Sequence, residues 1–206
     1  MIPIYEYGQV PNSEIFARDN IASNVEGAVT EILAQVAARG DEALREYTLR
    51  FDKADLTNLE VTEAEIDEAF AAVEPEFVAI LEQAAANIRA FHEKQRRNSF
   101  VVADQPGVVL GQKIVPIQKV GLYVPGGTAA YPSTVLMDSI PAKIAGCPQL
   151  VMVTPPGADG KVNPVILAAA KIAGVDRIFK VGGAQAVAGL AFGTETLPKV
   201  DKIVGP

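Results

Sequence analysis

The sequence is poor in the residues that build covalent staples and metal centres. It holds one cysteine, Cys147, and one histidine, His92. A single cysteine excludes an intrachain disulfide. A single histidine cannot build a histidine-based metal site, and no cysteine cluster replaces it. No apolar run approaches the ~18 residues needed to span a bilayer. The opening stretch MIPIYEYGQVPNSE lacks the basic segment followed by an apolar one that marks a signal peptide. Positive charge is also short: 18 Lys and Arg stand against 25 Asp and Glu, a net of −7 over 206 residues. That balance argues against general nucleic-acid binding. The expectation is a cytoplasmic protein with neither nucleic acid nor membrane as partner.

What is present divides into two parts. Residues 1–100 carry nine basic and nineteen acidic side chains, and residues 101–206 carry nine and six. Such an asymmetry points to two modules. The acidic part reads as helical. Ser23 and Glu26 have capping-box spacing, and Val25, Val29, Ile32, Leu33 and Val36 follow at helical period up to Gly40. Asp41 is placed to cap a second helix. Thr62 and Glu65 form another capping box. Pro75 opens a long helix, whose period puts Phe77, Ile80, Leu81, Ala84, Ile88 and Phe91 on one buried stripe.

From Phe100 the period shortens. The run SFVVADQPGVVLGQKIVPIQK has β-branched stretches broken by Pro-Gly and Gly-Gln, as in hairpins. A regular alternation follows. Strands are predicted at 120–124, 149–153, 177–181 and 200–204, with helices at about 133–145, 164–173 and 184–192. Strand starts 23 to 29 residues apart match the ~30 residues of a βαβ unit. The strands are apolar without alternation, which suits a parallel sheet covered on both faces. They run into PGG at 125–127, TPPG at 154–157, GGAQ at 182–185 and GP at 205–206. In open α/β sheets the ligand lies outside the carboxyl ends of the strands, so these turns mark one ligand-side edge. The last turn coincides with the end of the sequence, where another helix should follow, and reads as a truncation.

The candidate residues lie along that edge. VPGGTA is neither a P-loop nor a G-x-G-x-x-G motif. In its βα context it fits a phosphate or nucleotide contact or a plain turn. Tyr123 leads into it, placed to stack on a flat ring, to hydrogen-bond a ribose or phosphate, or simply to fill the rim. Gln185 falls in the first turn of the small-residue helix after Gly182 and Gly183. There a bare helix start suits an anion, and equally suits close helix–sheet packing. His92 reads as structural and half exposed. Cys147 reads as a buried thiol, with no histidine nearby in sequence to activate it.

Several strings carry a resemblance. PIQKVGLYVPGGTAAYPSTVLMDSIPAKIAGC and GVDRIFKVGGAQAVAGLAFGTETLPKVDKIVGP closely resemble the histidinol dehydrogenase family, and ANIRAFHEKQ and YTLRFD do so more loosely. The combination GLYVPGGT, VGGAQA and VDKI-GP is highly specific. The resemblance implies an enzyme that oxidises L-histidinol to L-histidine through an aldehyde, using two NAD⁺ in turn. It also implies a zinc-containing homodimer with two incomplete Rossmann-like domains. Residues 1–122 would be a helical region forming part of the first such domain, and 123–206 would be the second. Tyr123 and Gln185 match NAD-contacting positions. The family's zinc ligands, substrate residues and catalytic Glu–His pair match nothing in these 206 residues. The chain by itself is therefore expected to be inactive and marginally stable, with an exposed apolar face. The competing expectation is a non-catalytic α/β module that binds a nucleotide or dimerises.

Overall fold

A computed structural model describes residues 4–6, 8–16, 25–126 and 129–206. Its centre is a four-stranded parallel sheet of β3 (Lys119–Tyr123), β4 (Gln149–Thr154), β5 (Arg177–Lys180) and β6 (Lys202–Val204). The spatial order is β5-β4-β3-β6. β3 and β4 pair from Lys119↔Gln149 to Tyr123↔Val153, and β4 meets β5 as far as Thr154↔Lys180. The helices between them are α6 (Pro132–Ile144), α7 (Pro164–Ala173) and α8 (Gly183–Phe192). Each of these boundaries agrees with the sequence reading to within two residues. Asn163 caps α7 by accepting the Val165 N–H at 3.0 Å, and Gly174 ends it in the left-handed region at φ 77°.

β3, β4 and β5 are mostly apolar because both their faces are covered, while β6 at the edge of the sheet is largely exposed. Val120, Leu122, Leu150, Met152 and Ile178 point to one side and pack with α6 and α7. Val151, Val153 and Phe179 point to the other side and pack with α8. Each such side chain, removed from water, contributes roughly 1.5–3 kcal/mol. The acidic part supplies second layers. α4 (Glu63–Ala72) lies on α7, and α5 (Pro75–His92) lies on α6. On the opposite face, α2 (Glu26–Arg39) lies on α8, and α3 (Asp41–Asp52) touches both α2 and α8. Helices from residues 26–92 thus share both cores with a sheet built from residues 119–204, and the 122/123 division falls within β3.

The capping expectations divide. The Thr62–Glu65 box is present, with Glu65 N–H donating to Thr62 Oγ1 at 3.2 Å and Thr62 N–H to Glu65 Oε2 at 2.8 Å. The Ser23 cap lies outside the described residues. Gly40, at φ 54°, is the cap residue of α3, and Asp41 is its first helical residue. The carboxylate of Asp41 turns away, accepting Thr194 Oγ1–H at 2.5 Å and Thr196 N–H at 3.3 Å. Glu195 in return accepts the Asp41 N–H at 2.8 Å. A loop more than 150 residues downstream therefore caps α3, a partner that local spacing cannot reveal.

The expected buried stripe of α5 is also corrected. Leu81 and Ala85 are buried and Ala84 and Ile88 partly so, but Ile80 is 57% and Phe91 62% exposed, with Phe77 exposed as well. α5 meets α6 and α7 along a strip narrower than its apolar face. α2 behaves alike: Val36 is buried, Ile32 and Leu33 are half-buried, and Val25 and Val29 are exposed. The expected hairpin is present as β1 (Phe100–Gln105) and β2 (Val108–Gln112), turning at Pro106-Gly107. Gly111 and Gln112 lie inside β2 and do not break it. Every hairpin residue is exposed, Val101 and Val109 at 71% each. An exposed apolar face was expected, and the hairpin and α5 both carry one.

α1 (Asn12–Ile15) is a single exposed turn.

Candidate functional site

The chain moves from β3 to β4 to β5 in one direction, then returns to lay β6 on the other side of β3. The order reverses between β3 and β6, and the carboxyl ends of strands flanking such a reversal form a natural crevice. A cleft of about 430 Å³ lies there, with Tyr123, Gly183, Ala184, Ile203 and Gly205 in its lining. Tyr123 ends β3 on the face covered by α8. Its side chain reaches past the end of β4, and its hydroxyl accepts the Gly183 N–H at 3.2 Å. That N–H belongs to the first residue of α8, among the donors that a helix leaves unpaired.

Two glycines are required by the geometry. Gly183 has φ 63°, in the left-handed region that favours glycine. A Cβ on Gly205 would stand 2.5 Å from the Tyr123 carbonyl oxygen. Of the opening PGG turn, Gly127 lies outside the described residues.

Gln185 sits in the first turn of α8, as expected, but is only 2% exposed. Its carboxamide folds back on its own helix start, so that a Cβ on Gly183 would meet its Oε1 at 2.7 Å. Gln185 is not part of the cleft lining. The structure thus brings Tyr123 and the start of α8 together at the cleft and places Gln185 behind Gly183.

A second cavity of about 380 Å³ opens on the other face, between α4, α7 and the loop after β4. Here the structure adds residues that spacing did not single out. Lys180, 7% exposed at the end of β5, donates to Glu65 Oε1 at 2.5 Å. Burial pushes the Glu65 carboxyl up, but hydrogen bonds from Lys180 and from Thr62 together outweigh it, so its pKa lies below the usual value. Lys161 pairs with Glu68 at 3.0 Å. A lysine within the apolar run RIFKV was the available signal, since a charge in a covered strand needs a partner.

The remaining candidates are structural. His92 is half-buried, with Nδ1 2.7 Å from Gln95 Oε1 and its ring edge-on to Phe91. Cys147 is buried in the core beneath α6. Among the described residues, no group of three or more His, Cys, Asp or Glu could hold a metal ion, so the donors present do not fit zinc. No described helix is long and apolar enough to cross a membrane.

A parallel sheet with helices on both faces, glycine-led turns along its carboxyl edge and a cleft at the reversal of strand order defines an α/β protein of the doubly wound kind. Comparison with known proteins narrows the class. The family model described as histidinol dehydrogenase matches residues 17–206, and the chain belongs to that family. A histidinol dehydrogenase of Lactiplantibacillus plantarum is 56% identical over 182 residues, covering 88% of this chain and 42% of the relative. One of Methanosarcina barkeri is 51% identical over 194 residues, covering 94% and 45%. The crystal structure of histidinol dehydrogenase from Elizabethkingia anophelis superposes with a TM-score of 0.88 at 40% identity, covering 96% of this chain and 46% of that one. The chain spans a little under half the length of the curated relatives it matches.

Proposed function

We propose that this chain is the cofactor-binding part of an NAD-dependent histidinol dehydrogenase, which oxidises L-histidinol through the aldehyde to L-histidine. One observation carries the reading: in a chain of this family, Tyr123 meets the glycine-led start of α8 at the reversal of strand order. NAD⁺, when bound, supplies the hydride acceptor. The Tyr123 ring offers a stacking face, and its hydroxyl, which accepts the Gly183 N–H, keeps its own proton to donate. Gln185 reaches a ligand only by rotating its carboxamide from behind Gly183.

The residues for the chemistry are a separate matter. With His92 the sole histidine, the described residues supply neither a zinc donor set nor a Glu–His pair at the cleft. The chain by itself is therefore expected to turn over no histidinol. As part of the whole enzyme we place it in a cytoplasmic homodimer with two incomplete Rossmann-like domains, residues 1–122 contributing to the first and 123–206 to the second.

Calorimetric titration of NAD⁺ tests the reading. Tyr123→Ala and Gln185→Ala should each weaken binding about tenfold, corresponding to ~1.4 kcal/mol. Unchanged affinity in both variants removes them from the site. Absence of binding by the folded wild-type chain means that residues outside these 206 complete the pocket.

A further inference from the structure

Three of the four turns at the carboxyl edge meet at one ring. Pro155, half-buried, follows β4, the strand between β3 and β5. Its neighbours on either side are glycines. A Cβ on Gly126, after β3, would stand 2.7 Å from Pro155 Cγ and 3.2 Å from Cδ. A Cβ on Gly182, after β5, would stand 2.7 Å from Pro155 Cβ and 3.2 Å from both Cγ and Cδ. Real Cβ atoms do not approach so closely, so the ring occupies the space that two side chains would have filled. Neither glycine has positive φ. Close approach, and not backbone conformation, is what excludes a side chain at these two positions.

The consequence reaches the cleft. Gly126 lies three residues after Tyr123, and Gly182 directly precedes Gly183. The Tyr123 hydroxyl and the Gly183 N–H meet at 3.2 Å although β3 and β5 are not neighbours. The spacing between their two turns is set by the ring wedged between them.

We propose that Pro155 is a positioning residue for the cofactor cleft, fixing the Tyr123 turn relative to the start of α8. The proposal rests on the NAD reading for its consequence in binding, but its geometry stands apart from it. The test is a double-mutant cycle. Gly126→Ala pushes a methyl against Pro155 Cγ and Cδ, and Pro155→Ala removes those two atoms. Gly126→Ala should raise the NAD⁺ dissociation constant roughly tenfold, Pro155→Ala should raise it by less because its Cβ still stands between the turns, and the double variant should lose less than the two singles together, a non-additivity expected of residues in contact. Amide hydrogen exchange at Gly183 is read in parallel without ligand. Its protection should fall in each single variant, and in the double should fall by less than the two losses together.

A wild-type chain that binds no NAD⁺ while Gly183 exchange follows the cycle overturns NAD⁺ binding by these 206 residues alone and supports the positioning role. Wild-type affinity and wild-type Gly183 exchange in folded Gly126→Ala overturn the positioning role. Additive losses in the double variant overturn it too.

Discussion

The Lys180–Glu65 pair makes an asymmetric prediction. The Lys180 side chain is 9% exposed and that of Glu65 31%. Glu65 also accepts from the Thr62 N–H and the Thr62 hydroxyl, so it remains well bonded when Lys180 is lost. Lys180→Met should therefore cost only about 1 kcal/mol, the range of a partly exposed ion pair. Glu65→Gln keeps the geometry of the capping box but sets the buried ammonium of Lys180 against a neutral amide. Stranding a buried charge costs roughly 3–5 kcal/mol, and partial solvent access near Glu65 brings the expectation to roughly 2–4 kcal/mol. Urea denaturation at neutral pH measures both. The pH dependence has a definite sign. The folded pKa of Glu65 is lowered from 4.5, so the carboxylate's contribution is present above that value and is lost as pH falls through the folded one. The gap between wild type and Glu65→Gln should close over that acid range. Equal costs for the two variants, or a larger cost for Lys180→Met, would refute the view that the lysine is the stranded partner.

Other expectations follow from burial. Asp138 Oδ2 is buried with no partner among the described residues, and desolvation raises its pKa from 3.8; Asp138→Asn should stabilise the fold at neutral pH by about 1 kcal/mol, a gain that vanishes below pH 3.8 in urea titrations run across the acid range. A Cβ on Gly189 would stand 2.6 Å from Leu197 Cδ2 and 3.4 Å from Leu44 Cδ1; Gly189→Ala should cost roughly 1–3 kcal/mol by overpacking despite its better helix propensity, and thermal melts showing stabilisation would contradict that packing.

The parallel half was legible because its strands and helices alternate at βαβ spacing and end in glycine and proline. Each element there needs only its neighbour in sequence to be recognised. The acidic half was less so. Period says which residues of α5 share a face, but not how wide a neighbour covers it; hence Phe77, Ile80 and Phe91 were assigned to a core they do not join. The spacing at Asp41 suggested a local cap, while the actual partners are Thr194, Glu195 and Thr196. Of the candidate cleft, the place of Tyr123 at a strand end was legible. Gln185 was found by position in its helix, but its burial behind Gly183 depends on a side-chain path that spacing does not encode. The Pro155 wedge was hidden for a similar reason: GG and PP look like turn formers, and only three-dimensional contact reveals that they accommodate one another.

The layering of helices from residues 26–92 on a sheet from residues 119–204 also constrains how the chain is made. α2 and α3 are the first of these elements to leave the ribosome, yet Val36, Leu44 and Tyr47 pack against a core that includes Phe179, Leu190 and Leu197. At roughly 5–20 residues per second, α3 waits about 10–30 s for α8 to follow it. During that interval only α2 and the residues just after α3 are there to cover its apolar side. The length between α3 and α8 therefore sets a window of exposure, and slowing translation between them should lengthen it without changing the finished fold.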